Sequence, residues 1–244
     1  METAPWSIIP ILNAPIEFDP TAPIADWFGL EMTMAHNVII RGIISIWRHA
    51  PVIHPADEKA FAGYALSCLE LIHAHHHGEE AVIFPRLQVK LDHDMSHNVE
   101  QHQAFQEEME ALEEYLKKVH NGEAEYDGEG TRRLLKAFAD PLIEHLNEEL
   151  TTITPEKLSV FTNDELAEMS KALEDHIKTV GGFFTLFPFT LTNHDKRDSP
   201  KWPPAPTHIK WFAITVGYFF NRSYWKFSTF TRTGELQTYE PESI

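Results

Sequence analysis

Four stretches of this 244-residue chain repeat apolar side chains at steps of three and four, and each carries one histidine on its apolar stripe. The first predicted helix runs from an Asp26 N-cap to about His49, with Met32, His36, Ile39, Ile40, Ile43 and Trp47 in phase and Pro51 and Pro55 ending it. The second starts near Asp57 and aligns Phe61, Ala65, Cys68, Ile72, His75, Glu79 and Val82 before Pro85 bends or breaks it. The third, about Asp94 to Val119, aligns Asn98, His102, Phe105, Met109, Leu112 and Leu116. After a Gly- and acid-rich loop, the fourth covers about Thr131 to Glu149 with Leu135, Phe138, Leu142, His145 and Glu149 aligned, and Pro141 is expected to kink it. Four such stripes bury their apolar faces only against one another, which specifies an all-α bundle.

The inward polar residues narrow the chemistry. His75 precedes Glu79 by four residues and His145 precedes Glu149 by four, so each pair lies on one helix face, roughly 6 Å apart along the axis. A carboxylate buried without a partner costs several kcal/mol, so two inward glutamates demand a cation or a hydrogen-bond network. Imidazole plus carboxylate suits iron, manganese or zinc, and about six such ligands exceed the needs of one tetrahedral zinc and fit two metals. The second helix leaves its register open. The stripe Ala62, Leu66, Leu69, His73, His76, Glu80 and Ile83 is also apolar, so His76 and Glu80 compete with His75 and Glu79, and the two pairs are not expected to face the same way.

Composition removes other classes. With 20 Lys and Arg against 37 Asp and Glu, the net charge of −17 disfavours a nucleic-acid binder and, equally, attachment to anionic membranes. The single cysteine, Cys68, excludes an internal disulfide and a thiolate-rich zinc site and points to a reducing, cytoplasmic setting. Residues 1–26 carry five prolines (Pro5, Pro10, Pro15, Pro20 and Pro23) with interspersed acids, so an extended arm over 1–25 is expected in place of a secretory signal. The ten-residue segment Trp211 to Phe220 falls well short of the roughly 20 residues that span a bilayer. Beyond the bundle at 26–150, residues 151–244 predict a fifth helix over Thr162 to Val180 with a Thr162/Glu165 capping box, then, past Gly181-Gly182, an aromatic extension packed on the bundle with one helix over Thr207 to Asn221.

Taken in order, His36, the run His75-His76-His77-Gly78-Glu79-Glu80 leading to Ile83-Phe84-Pro85, His102 with Phe105, and His145-Leu146-Asn147-Glu148-Glu149 resemble the hemerythrin-like (HHE cation-binding) family over about residues 26–150. The resemblance implies an antiparallel four-helix bundle holding an oxo- or hydroxo-bridged centre of two non-haem irons. His36, His75, His102 and His145 would be terminal ligands, with Glu79 and Glu149 bridging. Two departures from the family's respiratory carriers stand out: Asn98 replaces an imidazole four residues before His102, and Glu149 replaces an aspartate. That makes the chain more similar to the iron-sensing hemerythrin-like domain of an F-box protein, in which the residue after the second-helix histidine adds a ligand; here that residue is His76. The tail is loosely similar to those of fungal hemerythrin-like proteins.

The resemblance implies iron and dioxygen binding for sensing, storage or detoxification, with Ile40, Ile43, Ile72, Phe105, Met109 and Leu142 walling a small apolar pocket. An alternative is a diiron oxidase or oxygenase acting on a small organic substrate, for which the arm and tail shape a cavity. A third reading is a zinc-binding or metal-free helical interaction module. His93, His97, His120, His194 and His208 lie off the stripes or in loops and receive no role. Cys68 reads as inert packing.

Overall fold

The computed structural model describes residues 3–240 apart from 13, 15, 18, 20, 92–94 and 181. Pro15, Pro20, His93, Asp94 and Gly181 therefore lie outside the described residues. Four long helices form the body: α1 (Ile24–His49), α2 (Glu58–Gly78), α3 (Ser96–Asn121) and α4 (Gly128–Glu149). Helix α2 runs on through a π-helical turn, Glu79–Ile83, and a last α-turn, Phe84–Gln88. Each helix packs on the next and α4 closes on α1, so most residues on the four predicted stripes meet in one core, while Met32 and Val82 pack in a second cluster with Leu166 and Met169. Val38, Ile43, Phe61, Leu69, Leu112, Leu116, Leu135 and Phe138 are all fully buried there. No β-strand occurs among the described residues; Phe230 and Leu236 make one isolated bridge.

Several boundaries differ from expectation for local reasons. Helix α1 begins two residues before Asp26, directly after Pro23, which is extended at φ −54° and ψ 136°; Asp26 sits inside the first turn, where its charge favours the helix dipole. Pro85 does not stop the second helix, because it occupies the start of the new α-turn, where a missing N–H costs nothing. Helix α4 runs unbroken through Pro141. Asp127 caps it by accepting from the Gly130 amide, and Gly122, at φ 77°, closes α3 in the left-handed conformation.

The arm and the tail are built into the bundle. Trp6 packs edge-on against Trp47, 5.4 Å between ring centroids, and the Asn37 side-chain amide both accepts from the Ile9 N–H and donates to the Ile9 carbonyl. Helix α5 (Asn163–Val180) carries the predicted capping box: the Thr162 amide donates to Glu165 Oε2 and the Glu165 amide to Thr162 Oγ1. The helix α6 (Leu186–Asn193) was hidden in the sequence by Pro188, which falls within its first turn. It is followed by α7 (Thr207–Phe212), which continues through a π-turn, Ala213–Gly217, into Tyr218–Phe220.

Two glycines explain how the tail engages. A Cβ on Gly42 of α1 would stand 2.6 Å from Phe189 Cζ, and one on Gly63 of α2 would stand 2.1 Å from the Tyr224 ring. The missing side chains are the notches into which tail aromatics fit. Arg41 holds the same seam by donating to Asp198 at 2.8 Å, and Tyr64 donates to Asn193. Among the described residues no helix is long and apolar enough to cross a membrane.

Candidate metal centre

Seven side chains from all four bundle helices converge at one level: His36 from α1, His75 and His76 from the end of α2, Glu79 from the π-turn, His102 from α3, and His145 and Glu149 from α4. They form two overlapping groups, His36, His75, Glu79 and Glu149, and His76, Glu79, His102 and His145. Within each, the candidate ligand atoms all lie within 4.8 Å of one another. Glu79 belongs to both groups. Glu149 Oε2 lies 3.3 Å from His36 Nε2 and 3.8 Å from His145 Nε2, so it too reaches toward both.

The open register on the second helix has a geometric answer. With about 100° per residue, His76 stands about 100° around the axis from His75, and Glu79, one turn on, falls about 40° from His75 and between them. One carboxylate thus faces both positions while the two rings diverge to either side. Glu80 continues the rotation out of the interior; its carboxylate accepts from His102 Nδ1 at 2.7 Å on the rim. His75, His76 and Glu79 therefore face inward together and Glu80 alone stays outside, so the two pairs do not all face the same way, and the division falls within the His76/Glu80 pair. The π-turn begins at Glu79, where the Phe84 amide reaches back to the Glu79 carbonyl, and such turns recur at functional sites. Helix α5 covers this segment: a Cβ on Gly78 would meet Leu173 Cδ1 at 2.8 Å.

Three imidazoles are oriented from outside. The His36 Nδ1–H donates to the Leu146 carbonyl at 2.8 Å, that of His102 to Glu80, and that of His145 to Gln101 Oε1 at 2.9 Å. Gln101 is held in that sense because its Nε2 donates to Glu148. Each bond places the ring proton on Nδ1 and turns the Nε2 lone pair inward, as metal-binding histidines require. Asn98 takes no such part; it is buried, and its Nδ2 has no hydrogen-bond partner. Glu80 and Gln101 hold these outer places, and Gln101 left no signal in the sequence because it lies one residue off the α3 stripe.

The interior is sealed and electrostatically unbalanced. Glu79 and Glu149 are each 1% exposed, and both oxygens of both carboxylates lack a hydrogen bond, as do Nε2 of His36, His75 and His76. Burial pushes the imidazoles of His102 and His145 down to about 4 and about 3, against the opposing pull of Glu149, so both are neutral near pH 7. Burial likewise drives His36 and His76 well below the usual histidine range. Burial, and then the charges of Glu149 and Glu80, hold the Glu79 carboxyl well above the usual range. With both Nδ1 atoms protonated and both rings neutral, His102 Nε2 and His145 Nε2 face each other at 2.9 Å with no proton between them. Such a contact is repulsive unless a cation accepts both lone pairs. The donor set thus fits two bound metal ions on the chemistry of its own orphaned atoms.

The family model described as the hemerythrin HHE cation binding domain matches residues 31–156. The chain belongs to this family. Outside the family match, the dimeric xanthone biosynthesis cluster protein R11 of Cryptosporiopsis sp. (strain 8999) is 30% identical over 239 residues, covering 93% of this chain and 87% of that one. That similarity takes in more of the chain than the HHE domain alone. No solved structure matches the chain. The HHE domain here is cation-binding by family and carries a buried His/Glu cluster of the matching chemistry.

His194 is buried with its Nε2–H donated to the Ser199 carbonyl, and His120 bonds the Tyr224 hydroxyl. Burial pushes the Cys68 thiol up and away from reactivity. The six apolar residues expected near the centre, Ile40, Ile43, Ile72, Phe105, Met109 and Leu142, share the main core cluster.

Proposed function

We propose that this HHE protein binds two iron ions and dioxygen. His36 and His75 would hold one iron and His76, His102 and His145 the other, with Glu79 and Glu149 shared between them. The observation that carries the reading is the concentration of orphaned donors: seven buried nitrogen and oxygen atoms without a hydrogen bond, all on these side chains, in two groups joined at Glu79. Iron in such a site supplies dioxygen binding and electron-transfer chemistry. The chain's own contribution is to orient three imidazoles by their outer hydrogen bonds, to supply two carboxylate charges in a medium of low polarity, and to exclude water by burial.

A second reading, oxidation of a small organic substrate, is favoured by the 30% identical relative, whose name places it in the biosynthesis cluster of a dimeric xanthone. Its similarity over 93% of this chain extends well beyond the HHE domain, into segments that a gas-binding bundle does not need. The two readings separate by dioxygen uptake: turnover in the presence of an electron donor that requires an aromatic substrate supports oxidation, and a reversible spectral change without substrate consumption supports binding alone.

The test of the centre itself is elemental analysis of protein loaded with ferrous iron, with an electronic spectrum before and after dioxygen. About two irons per chain are expected. The double variant Glu79→Gln, Glu149→Gln should lose two-metal binding and keep its helix content; retention of two metals per chain would overturn the ligand assignment.

A further inference from the structure

Helix α7 and its continuation turn their apolar side outward. Ala213 and Gly217 are buried beneath, and the Gly217 position lies 3.6 Å from both Phe184 and Pro188. Trp211, Phe212, Phe219 and Phe220 point away from the core and are 61, 38, 52 and 67% exposed. Phe183 and Phe184 extend the same ledge: Phe183 meets Phe212 at 5.8 Å and Phe184 meets Phe220 at 4.5 Å between centroids. Six clustered, exposed aromatic rings on one edge exceed what a surface carries without a use.

The charge around the ledge runs against that of the whole chain. Residues 199–233 contain Lys201, Lys210, Arg222, Lys226 and Arg232 and no Asp or Glu, in a protein of net charge −17. Lys226 is committed to Asp57. Lys201, Arg222 and Arg232 are exposed and make no ion pair among the described residues, and the Arg232 guanidinium lies 5.7 Å above the Phe219 ring. A short amphipathic helix with Trp and Phe on its outer face and cations at its margin has the chemistry of an interfacial helix.

We propose that this ledge docks the protein on an anionic phospholipid surface, with the aromatic rings in the headgroup boundary and Lys201, Arg222 and Arg232 against the phosphates. The net charge does not forbid it. Residues 199–233 hold five cations and no acid, and at 0.1 M salt charges more than about 10 Å from the ledge are screened. A second copy is a poorer occupant, because a ledge-to-ledge contact brings two sets of marginal cations together and supplies no anion to meet them.

The experiment is co-sedimentation of the full chain with vesicles of phosphatidylcholine, with and without 30% phosphatidylserine. Binding is expected only to the phosphatidylserine vesicles and should weaken at 0.5 M salt. Arg222→Glu with Arg232→Glu should weaken it by about 25-fold or more, at about fivefold per cation lost. Trp211→Ser with Phe220→Ser should remove it while leaving the circular dichroism unchanged, since all four side chains are outside the core. Absence of binding, or equal binding to both vesicle types, would overturn the proposal. So would self-association in sedimentation velocity that Trp211→Ser abolishes without any vesicle binding, which would assign the ledge to a copy–copy contact.

Discussion

Acidifying the metal-free protein from pH 7 to pH 5 should destabilise it, and His102 and His145 supply a share of that loss that the double variant isolates. Burial holds these rings at about 4 and about 3 in the fold, whereas in the unfolded chain a histidine titrates near 6.5. A group lowered in this way contributes its full stability above the unfolded value and loses it as the pH falls toward the folded value, because the unfolded state takes up protons first. Integrating from pH 7 to pH 5 gives about 2 kcal/mol for each ring, and about 4 kcal/mol together. Glu79 acts in the opposite sense: its raised carboxyl takes up a proton in the fold before it would in the unfolded chain, which offsets part of the loss. Against a total stability of about 5–15 kcal/mol, the net effect is readable. At about 2–4 °C per kcal/mol for a chain of this size, these two rings alone lower the midpoint by roughly 8–16 °C, and His36, His76 and His49, lowered by the same burial, add to the fall. The assay is thermal unfolding followed by circular dichroism on chelator-treated protein at pH 7, 6 and 5, beside the double variant His102→Gln, His145→Gln. A flat midpoint in the native chain, or an equal slope in the variant, would refute the claim that these two rings are buried neutral.

Three further outcomes follow from particular contacts. Gly63→Ala should destabilise the protein by about 1–3 kcal/mol by pushing Tyr224 from its notch, and Tyr224→Ala should relieve part of that cost in a double-mutant cycle of urea unfolding. Gln101→Leu removes the acceptor for His145 Nδ1 and should weaken metal retention about 10–100-fold in chelator competition while leaving the helix content intact. Removing Asp198 leaves the nearly buried Arg41 with only its longer contacts to Asp195 and the Asn193 carbonyl, so Asp198→Ala should cost about 2–4 kcal/mol in the same unfolding assay.

The helices were legible because each buries a single stripe, and a stripe is a property of spacing alone. Thus α3 and α4 are placed to within about three residues by Phe105, Leu112, Leu135 and Phe138. The converging histidines were legible for the same reason. What spacing does not carry is the choice among neighbouring residues at one level. His75 and His76 read as rivals when each was assigned a whole stripe, and the two positions they face appear only when the other three helices are in place. Gln101 escaped notice, and Glu80 was read as a rival ligand, because the role of each depends on the ring nitrogen it meets across a helix interface. Helix α6 escaped because Pro188 masks it, although its Phe189 is one of the fully buried rings of the core.

The glycine notches set an order of events during synthesis. Gly42 and Gly63 are made well before the rings that fill them, Phe189 and Tyr224, which follow by more than a hundred residues. At about 5–20 residues per second, a nascent bundle waits on the order of 10–30 s with two uncovered clefts in its first helical pair. Truncation before Phe189 leaves both clefts open and truncation between Phe189 and Tyr224 leaves the Gly63 cleft open, so the tail is as much a folding requirement as the histidines are a chemical one.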